Sequence, residues 1–242
     1  MGEFKPESYE ACKGCSLLPK GERKPRFVPT ERGEKAPEGT VDAVFIGEAP
    51  GEDEDKQRRP FVGVSGDKLR KAIHRTVETT SYAFTNVVRC RPTDEQGKNR
   101  APTEAEIAHC RPYLIEDLKA LNPRLVVMLG SVALGAAAPP GLFAKKGEKA
   151  SVMKTHGQIR EAKKGGRRYL PVFHPSYVLR NFKDEPAWEK DLAKVQVGLA
   201  TSEADTPFMN KGKSEHLDTI DKVKAYLRFL RKEWAGPVAL DL

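Results

Sequence analysis

The stretch "GEAPGEDED" at residues 47–55 places five carboxylates in nine positions of a chain whose formal net charge is +8. It follows the apolar run "VDAVFIG" (41–47), which reads as a buried parallel strand. A glycine-bearing turn leaving such a strand usually cradles phosphate on backbone N–H groups at a helix N-terminus. Carboxylates repel phosphate. This turn suits the opposite polarity, a site where positive charge is held or develops. Asp53 and Asp55 fit the plainer role of solvating a helix start or loop.

The four cysteines are the second chemical group. Cys12 and Cys15 form C-x-x-C, while Cys90 and Cys110 lie far downstream with 19 residues between them. Two thiolates from one tight turn and two from distant elements can close a tetrahedral site. Zinc and an iron–sulfur cluster both meet that description, and the spacing does not choose. Packing is the competing reading for Cys110, on the core face of a helix, and for Cys90, at a strand end. It leaves Cys12 and Cys15 unexplained, since they sit in a polar, Lys/Gly-rich segment with no core of its own. A metal there would pin residues 1–40 to the domain, and its loss should loosen that segment first.

Alternating elements must position these groups. After the strand at 41–47 comes a helix near 66–78, with Leu69, Ile73 and Val77 on one face. "YAFTNVVRC" (82–90) reads as the second strand. Thr103 and Glu106 form a capping box for a helix over 104–121, whose apolar face carries Ile107, Cys110, Leu114, Leu118 and Leu121. "RLVVMLG" (124–130) is a third strand, and Ser131 is expected to cap a short Ala-rich helix. "YLPVFHP" (169–175) is the fourth strand, and Trp188, Leu192, Val195 and Leu199 mark a closing helix. Strands alternating with helices predict a parallel sheet covered on both faces. Ligands then bind beyond the carboxyl ends of the strands, where Glu48, Asn86 and His174 all fall.

Composition changes at "TSEADTPFMNKGKSE" (201–215), which reads as a polar linker. The sequence beyond it is an amphipathic helix pattern followed by "GPVALDL", the start of a strand. The predicted organisation is one domain over 1–200, the linker, and over 216–242 the truncated start of a second domain.

The basic balance makes a polyanion the first partner to consider, with an ordinary lysine-rich surface as the alternative. The clusters Lys20–Arg26, Lys145–Lys149 and Lys163–Arg168 would contact phosphates. The N-terminus has no apolar core of a signal peptide, Pro6 stands where a myristoylation signal needs Ser or Thr, and no apolar run approaches a membrane span. The expected setting is cytoplasmic, where thiols stay reduced.

"GEAPGEDED", "RPFVGVSGDKL", "TNVVRCRP" and "HPSYVLRN", together with the four cysteines, resemble the family 4 uracil-DNA glycosylases, the iron–sulfur members of the uracil glycosylase superfamily. The resemblance covers about residues 5–200. It implies an α/β fold, three layers α/β/α around a four-stranded parallel sheet. It implies hydrolysis of the N-glycosidic bond of deoxyuridine in DNA, and a structural 4Fe–4S cluster on Cys12, Cys15, Cys90 and Cys110, with zinc as the alternative. The expected protein is a monomer in a bacterial cell or phage-infected host.

Residue by residue, Glu48 and Glu54 match the family's acidic positions, and Glu48 is preferred beside the sugar and water because it directly follows the strand. Phe61 matches the aromatic that stacks on the flipped base, Asn86 the amide that reads uracil O4 and N3–H, and His174 the donor to uracil O2. Ala49 belongs to the same pocket; a sister family that attaches covalently to uracil has Gln there. Ser176, Tyr177 and Arg180 follow where the family inserts a loop into DNA, with Leu179 as the wedge. "TDEQGKN" (93–99) makes the Cys90–Cys110 spacing longer than the family's. His109 and His156 receive no role. "GPVALDL" resembles the start of the 3′–5′ exonuclease domain of family A DNA polymerases, with Asp241 as its first carboxylate, an arrangement similar to some phage polymerases. The rival to an enzyme is a non-catalytic uracil-sensing module tethered to a polymerase.

Overall fold

In a computed structural model of the chain, the structure describes residues 9–21, 25–33, 36, 39–77, 81–145, 147–163 and 165–199. The linker at 201–215 and the segment 216–242, including Asp241, lie outside the described residues.

The sheet has six strands: β1 (Glu31–Arg32), β2 (Ala43–Gly47), β3 (Tyr82–Asn86), β4 (Leu125–Leu129), β5 (Arg160–Glu161) and β6 (Arg168–Val172). Their spatial order is β1-β3-β2-β4-β6-β5. The four inner strands are parallel, and the two-residue outer strands β1 and β5 run antiparallel to β3 and β6. The expected four-stranded parallel sheet is therefore the centre of a mixed six-stranded one. The added strands are charged pairs, Glu-Arg and Arg-Glu, which close the sheet edges with polar side chains instead of offering apolar templates.

The helices are α1 (Glu52–Gln57), α2 (Gly63–Thr76), α3 (Glu104–Leu121), α4 (Gly130–Ala137), α5 (Val152–Thr155), α6 (Pro175–Arg180) and α7 (Glu185–Leu199). α4 packs against β2, β4 and β6 with α3 beside it, and α7 packs against β4 and β6 with α2 beside it. Right-handed crossovers put these pairs on opposite faces of the sheet. β2 and β4 are completely buried, as continuous apolar runs covered on both sides must be.

Local chemistry sets the element ends. Thr103 Oγ1 accepts from Glu106 N–H at 3.2 Å, and Glu106 Oε2 accepts from Thr103 N–H at 2.8 Å, the reciprocal cap expected for α3. Ser131 does not cap α4. The chain passes from β4 straight into that helix through Gly130 at φ +89°, so Leu129 takes the capping position and no side chain supplies the bond. The second strand ends at Asn86 rather than Cys90. Beyond it the chain bends, and the N–H groups of Val87 and Val88 donate to the carbonyls of Gly47 and Glu48 at 3.0 Å each. That bend fastens the chain after β3 to the acidic turn after β2.

Candidate active site at the carboxyl edge of the sheet

The loop after β2 leads to one face of the sheet and the loop after β4 to the other, so the crevice between them is the topological switch point. Gly47, the last residue of β2, pairs with Asn86, the last residue of β3. A Cβ on Gly47 would collide with Asn86 Oδ1 and come within 2.7 Å of Phe61 Cζ. Glycine thus lets an amide and an aromatic ring converge over one strand end. Asn86 is 3% exposed, and its Nδ2 is buried without a hydrogen-bond partner among the described residues. An unsatisfied buried amide donor is costly unless something arrives to take it.

Phe61 is held at both ends of its own peptide unit. Its backbone is left-handed, φ +53°, its N–H donates to Glu54 Oε1, and its carbonyl accepts from Arg70 Nε at 2.8 Å. Its ring packs at 5.3 Å on Phe84. α2 approaches so closely that a Cβ on Gly66 would overlap the Phe61 backbone.

The two candidate glutamates have different surroundings. Glu54, the third residue of α1, accepts from the N–H of Gly51 at 2.6 Å as well as from Phe61. Burial pushes its carboxyl up, while those two N–H groups, Arg70 and the nearby Asn86 amide pull it back. Asn86 thus lies close to Glu54, although no acceptor meets its Nδ2 at hydrogen-bond geometry among the described residues. Glu54 therefore braces the turn through these two backbone N–H groups. Glu48 follows β2 directly and, among the described residues, no hydrogen bond or ion pair engages its side chain. Burial alone pushes its carboxyl up. Ala49 next to it packs against the core. Asp53 stays exposed beside Gly63, while Asp55 pairs with Arg26 at 3.2 Å. A cavity of about 490 Å³, lined by Asp53, Gln57, Arg59, Val62, Asp67 and Arg70, opens beside this turn.

His174 caps α6 from just beyond β6, against the β4–α4 junction, where a Cβ on Gly130 would lie 3.2 Å from its own Cβ. Its Nδ1 accepts from Ser176 N–H at 3.2 Å and pairs with Ser176 Oγ at 2.8 Å, so the ring proton resides on Nε2. Burial, with Arg180 nearby, brings its pKa down to about 4. The ring is a neutral donor at ordinary pH.

The loop residues divide. Ser176 orients His174; Tyr177 donates to Asp184 at 2.8 Å and stacks on Phe173; Leu179 is half-buried; Arg180 is exposed. Phe182, which the sequence reading passed over, is 66% exposed between Arg180 and Lys183. Its signal was an aromatic in a charged loop. The histidines without an expected role are anchors: His109 Nδ1 bonds the Ala11 carbonyl at 2.7 Å, and His156 Nδ1 bonds Asp191 at 2.6 Å. The basic clusters are partly committed, Arg26 to Asp55, Lys149 to Glu104, and Arg167 to the Pro123 carbonyl. The 93–99 segment closes on itself through Asp94, and Arg91 ties it to Glu52.

The four cysteines are buried and free of disulfides. Burial pushes the Cys90 thiol up, and the thiols of Cys110, Cys12 and Cys15 push it further, so all four share one neighbourhood. Burial likewise takes Cys110 to about 11. Around them, Ser16 Oγ donates to Glu106 at 2.6 Å, and Cys12 Sγ lies 3.4 Å from Tyr113 Oη. The donor set fits a thiolate-bound group. Among the described residues, no group of three or more His, Cys, Asp or Glu side chains stands ready to hold a single metal ion.

Residues 35–196 match the profile of the Uracil DNA glycosylase superfamily. A type-4 uracil-DNA glycosylase of Thermotoga maritima is 39% identical over 151 residues, 61% of this chain and 72% of that protein. One of Sulfurisphaera tokodaii is 32% identical over 222 residues, 89% of this chain and 93% of that protein. A DNA polymerase of Bacillus phage SP01 is 24% identical over 193 residues, 76% of this chain and 19% of that polymerase.

Proposed function

The chain belongs to the uracil DNA glycosylase superfamily, and from that premise we infer that it is a uracil-DNA glycosylase, hydrolysing the bond between uracil and deoxyribose in DNA. One observation carries the reading to this chain's own residues: the buried, unpartnered Asn86 amide meets the Phe61 ring over Gly47. An amide with Oδ1 and Nδ2 in one plane accepts from uracil N3–H and donates to O4; cytosine reverses that pattern and is refused.

The base must leave the stack to reach this site. Phe61 then stacks on it and Asn86 reads its edge. As the C1′–N1 bond breaks, its electron pair goes to uracil and positive charge builds on the sugar. Glu48 stabilises that charge and orients the water whose oxygen bonds to C1′. A water proton passes to Glu48 and on to solvent. The Nε2–H of His174 donates to uracil O2, where negative charge collects, and a neutral ring does this without giving up its proton. Glu54 holds the turn. Arg180 and Lys183 contact phosphate, and Phe182, more exposed than Leu179, fills the gap the base leaves.

Cys12, Cys15, Cys90 and Cys110 would hold a 4Fe–4S cluster. When bound, it supplies a structural crosslink between the N-terminal segment, the chain after β3, and α3. Zinc is the alternative occupant; iron content and visible colour separate the two. We keep covalent continuation into a polymerase as a proposal that rests on the "GPVALDL" pattern; the phage polymerase is matched over only 19% of its own length. We also propose that it works as a monomer in the cytoplasm. Among the described residues no helix is long and apolar enough to cross a membrane.

The test is base release from a uracil-containing oligonucleotide, read by alkaline cleavage of abasic sites, with Glu48→Ala and Asn86→Ala alongside. Release that vanishes in both variants supports the reading. Binding without release from the unmodified protein would make it a uracil sensor instead.

A further inference from the structure

Arg70 is assigned to neither base, sugar nor water, yet it grips the site from behind. Its Nε donates to the Phe61 carbonyl and its Nη2 to the Pro60 carbonyl, each at 2.8 Å. Nη2 also reaches Glu31 Oε2 at 2.9 Å, and the guanidinium lies 4.5 Å from the centre of the Phe84 ring. Phe84 is the ring on which Phe61 packs, and it pairs with Glu31 across β3 and β1. Arg59 binds the other oxygen of Glu31 at 2.8 Å. One planar cation thus joins two consecutive carbonyls, an edge-strand carboxylate and the aromatic beneath Phe61.

The backbone it grips is in an unfavourable conformation. A phenylalanine at φ +53° persists only where its surroundings over-determine it. Glu54 holds the N–H side of that residue and Arg70 the C=O side, while Gly66 leaves room for the turn. Only a guanidinium presents a rigid fork of donors able to serve two carbonyls and a carboxylate together; an ammonium is a single point.

We propose that Arg70, anchored by Glu31, is a positioning residue that locks Phe61 in its left-handed conformation with the ring over Gly47, where the flipped base stacks. This rests on the glycosylase reading above and assigns the edge strand β1 a part in base recognition. Arg70 touches no substrate itself; it acts through Phe61.

The experiment is a double-mutant cycle of Arg70→Ala and Phe61→Ala, read by inhibition of base release by free uracil and by single-turnover kinetics. Arg70→Ala should weaken uracil inhibition and raise the half-saturating DNA concentration about tenfold while changing the maximal rate less than about threefold, the pattern of lost ground-state binding. In the Phe61→Ala background, Arg70→Ala should change uracil inhibition less than about twofold, because the ring through which it acts is gone. Arg70→Lys should fall between wild type and Arg70→Ala. Thermal melting identifies a variant that has simply unfolded; Glu31→Gln, which keeps an acceptor and removes the charge, then takes its place in the cycle. Additive losses, or unchanged uracil inhibition in Arg70→Ala, would overturn the proposal while leaving the glycosylase reading intact. Wild-type protein that releases no uracil even from single strands would overturn the glycosylase reading, and the proposal with it.

Discussion

Gly47 and Asn86 end neighbouring parallel strands in direct register, so close that any side chain at 47 would strike Oδ1 of the Asn86 side chain. The same absent Cβ leaves 2.7 Å to the tip of Phe61. Glycine here defines the floor on which a base would lie between a ring and an amide. Gly47→Ala should therefore push Asn86 and Phe61 apart and reduce base release about 100-fold, as misplaced positioning groups do. Steady-state and single-turnover rates on a uracil oligonucleotide check this, with circular dichroism confirming the fold.

Glu48 and Glu54 differ in what holds them, and that difference predicts a pH dependence. Burial raises the Glu48 carboxyl above the ordinary glutamate value of 4.5. In the proposed mechanism the carboxylate is the working form, so the rate should fall as pH drops through that raised pKa, at a higher pH than an exposed glutamate would give. Glu54 is shifted in the same direction. Glu48→Gln tells them apart: it should lose about 10²–10⁴-fold in rate, the range for a positioned acid or base, and leave a pH profile without the Glu48 inflection.

The His174 ring makes a complementary prediction. Its pKa of about 4 keeps it neutral through the physiological range, so no inflection near the ordinary histidine value should appear in the rate profile. His174→Gln should slow base release about 10²–10³-fold, the loss expected for one donor to a developing oxyanion. Stability carries the same signature. Between about 6.5 and 4 the unfolded chain binds a proton at this position and the folded chain does not, so acidification through that window favours unfolding. Urea midpoints across the window should fall less steeply for His174→Gln.

Much of this arrangement is legible in the sequence because it is local. The buried runs of the four inner strands, the Thr103–Glu106 cap and the apolar face of α7 are each written within one element. The two outer strands are not, since Glu31–Arg32 and Arg160–Glu161 carry no alternation and form only against partners distant in sequence. Polarity also misleads where charges pair inside. Arg89 and Asp117 are both buried and ion-paired, with Thr30 Oγ1 donating to Asp117 at 2.5 Å. Nor does residue type distinguish a free carboxylate from one spent on backbone N–H groups, which is the difference between Glu48 and Glu54.

The cysteine neighbourhood predicts an order of loss. His109 and Ser16 already tie the N-terminal segment to α3, so removing one thiolate should loosen that segment before it disturbs the sheet. With the proposed cluster bound by these thiolates, Cys12→Ser should lower the iron content and speed hydrogen exchange and proteolysis within residues 9–21, while the strands keep their protection. Iron analysis and exchange measured by mass spectrometry check both. Global unfolding of Cys12→Ser would show instead that the cluster holds the whole domain.

The proposed wedge has two candidates, Leu179 from the sequence and Phe182 from the structure, and strand preference decides between them. Leu179 is half-buried on α6, whereas Phe182 is 66% exposed on the short turn that follows. Asn181 Nδ2 donates to the Tyr177 carbonyl at 3.0 Å and Tyr177 donates to Asp184 at 2.8 Å, so the loop presenting Phe182 is fixed from both sides. Arg180 and Lys183 flank the ring and lie exposed, ready for the phosphates on either side of a gap. A wedge matters only where a stack must be broken and held open, as in duplex DNA. Phe182→Ala should therefore slow release from double-stranded uracil DNA about tenfold or more and leave single-stranded DNA within about twofold, since stacking is worth roughly 1–3 kcal/mol per base. Leu179→Ala should affect both substrates alike, through packing. The duplex-to-single-strand rate ratio of the two variants is the measurement, and a selective duplex defect in Leu179→Ala alone would return the wedge to Leu179.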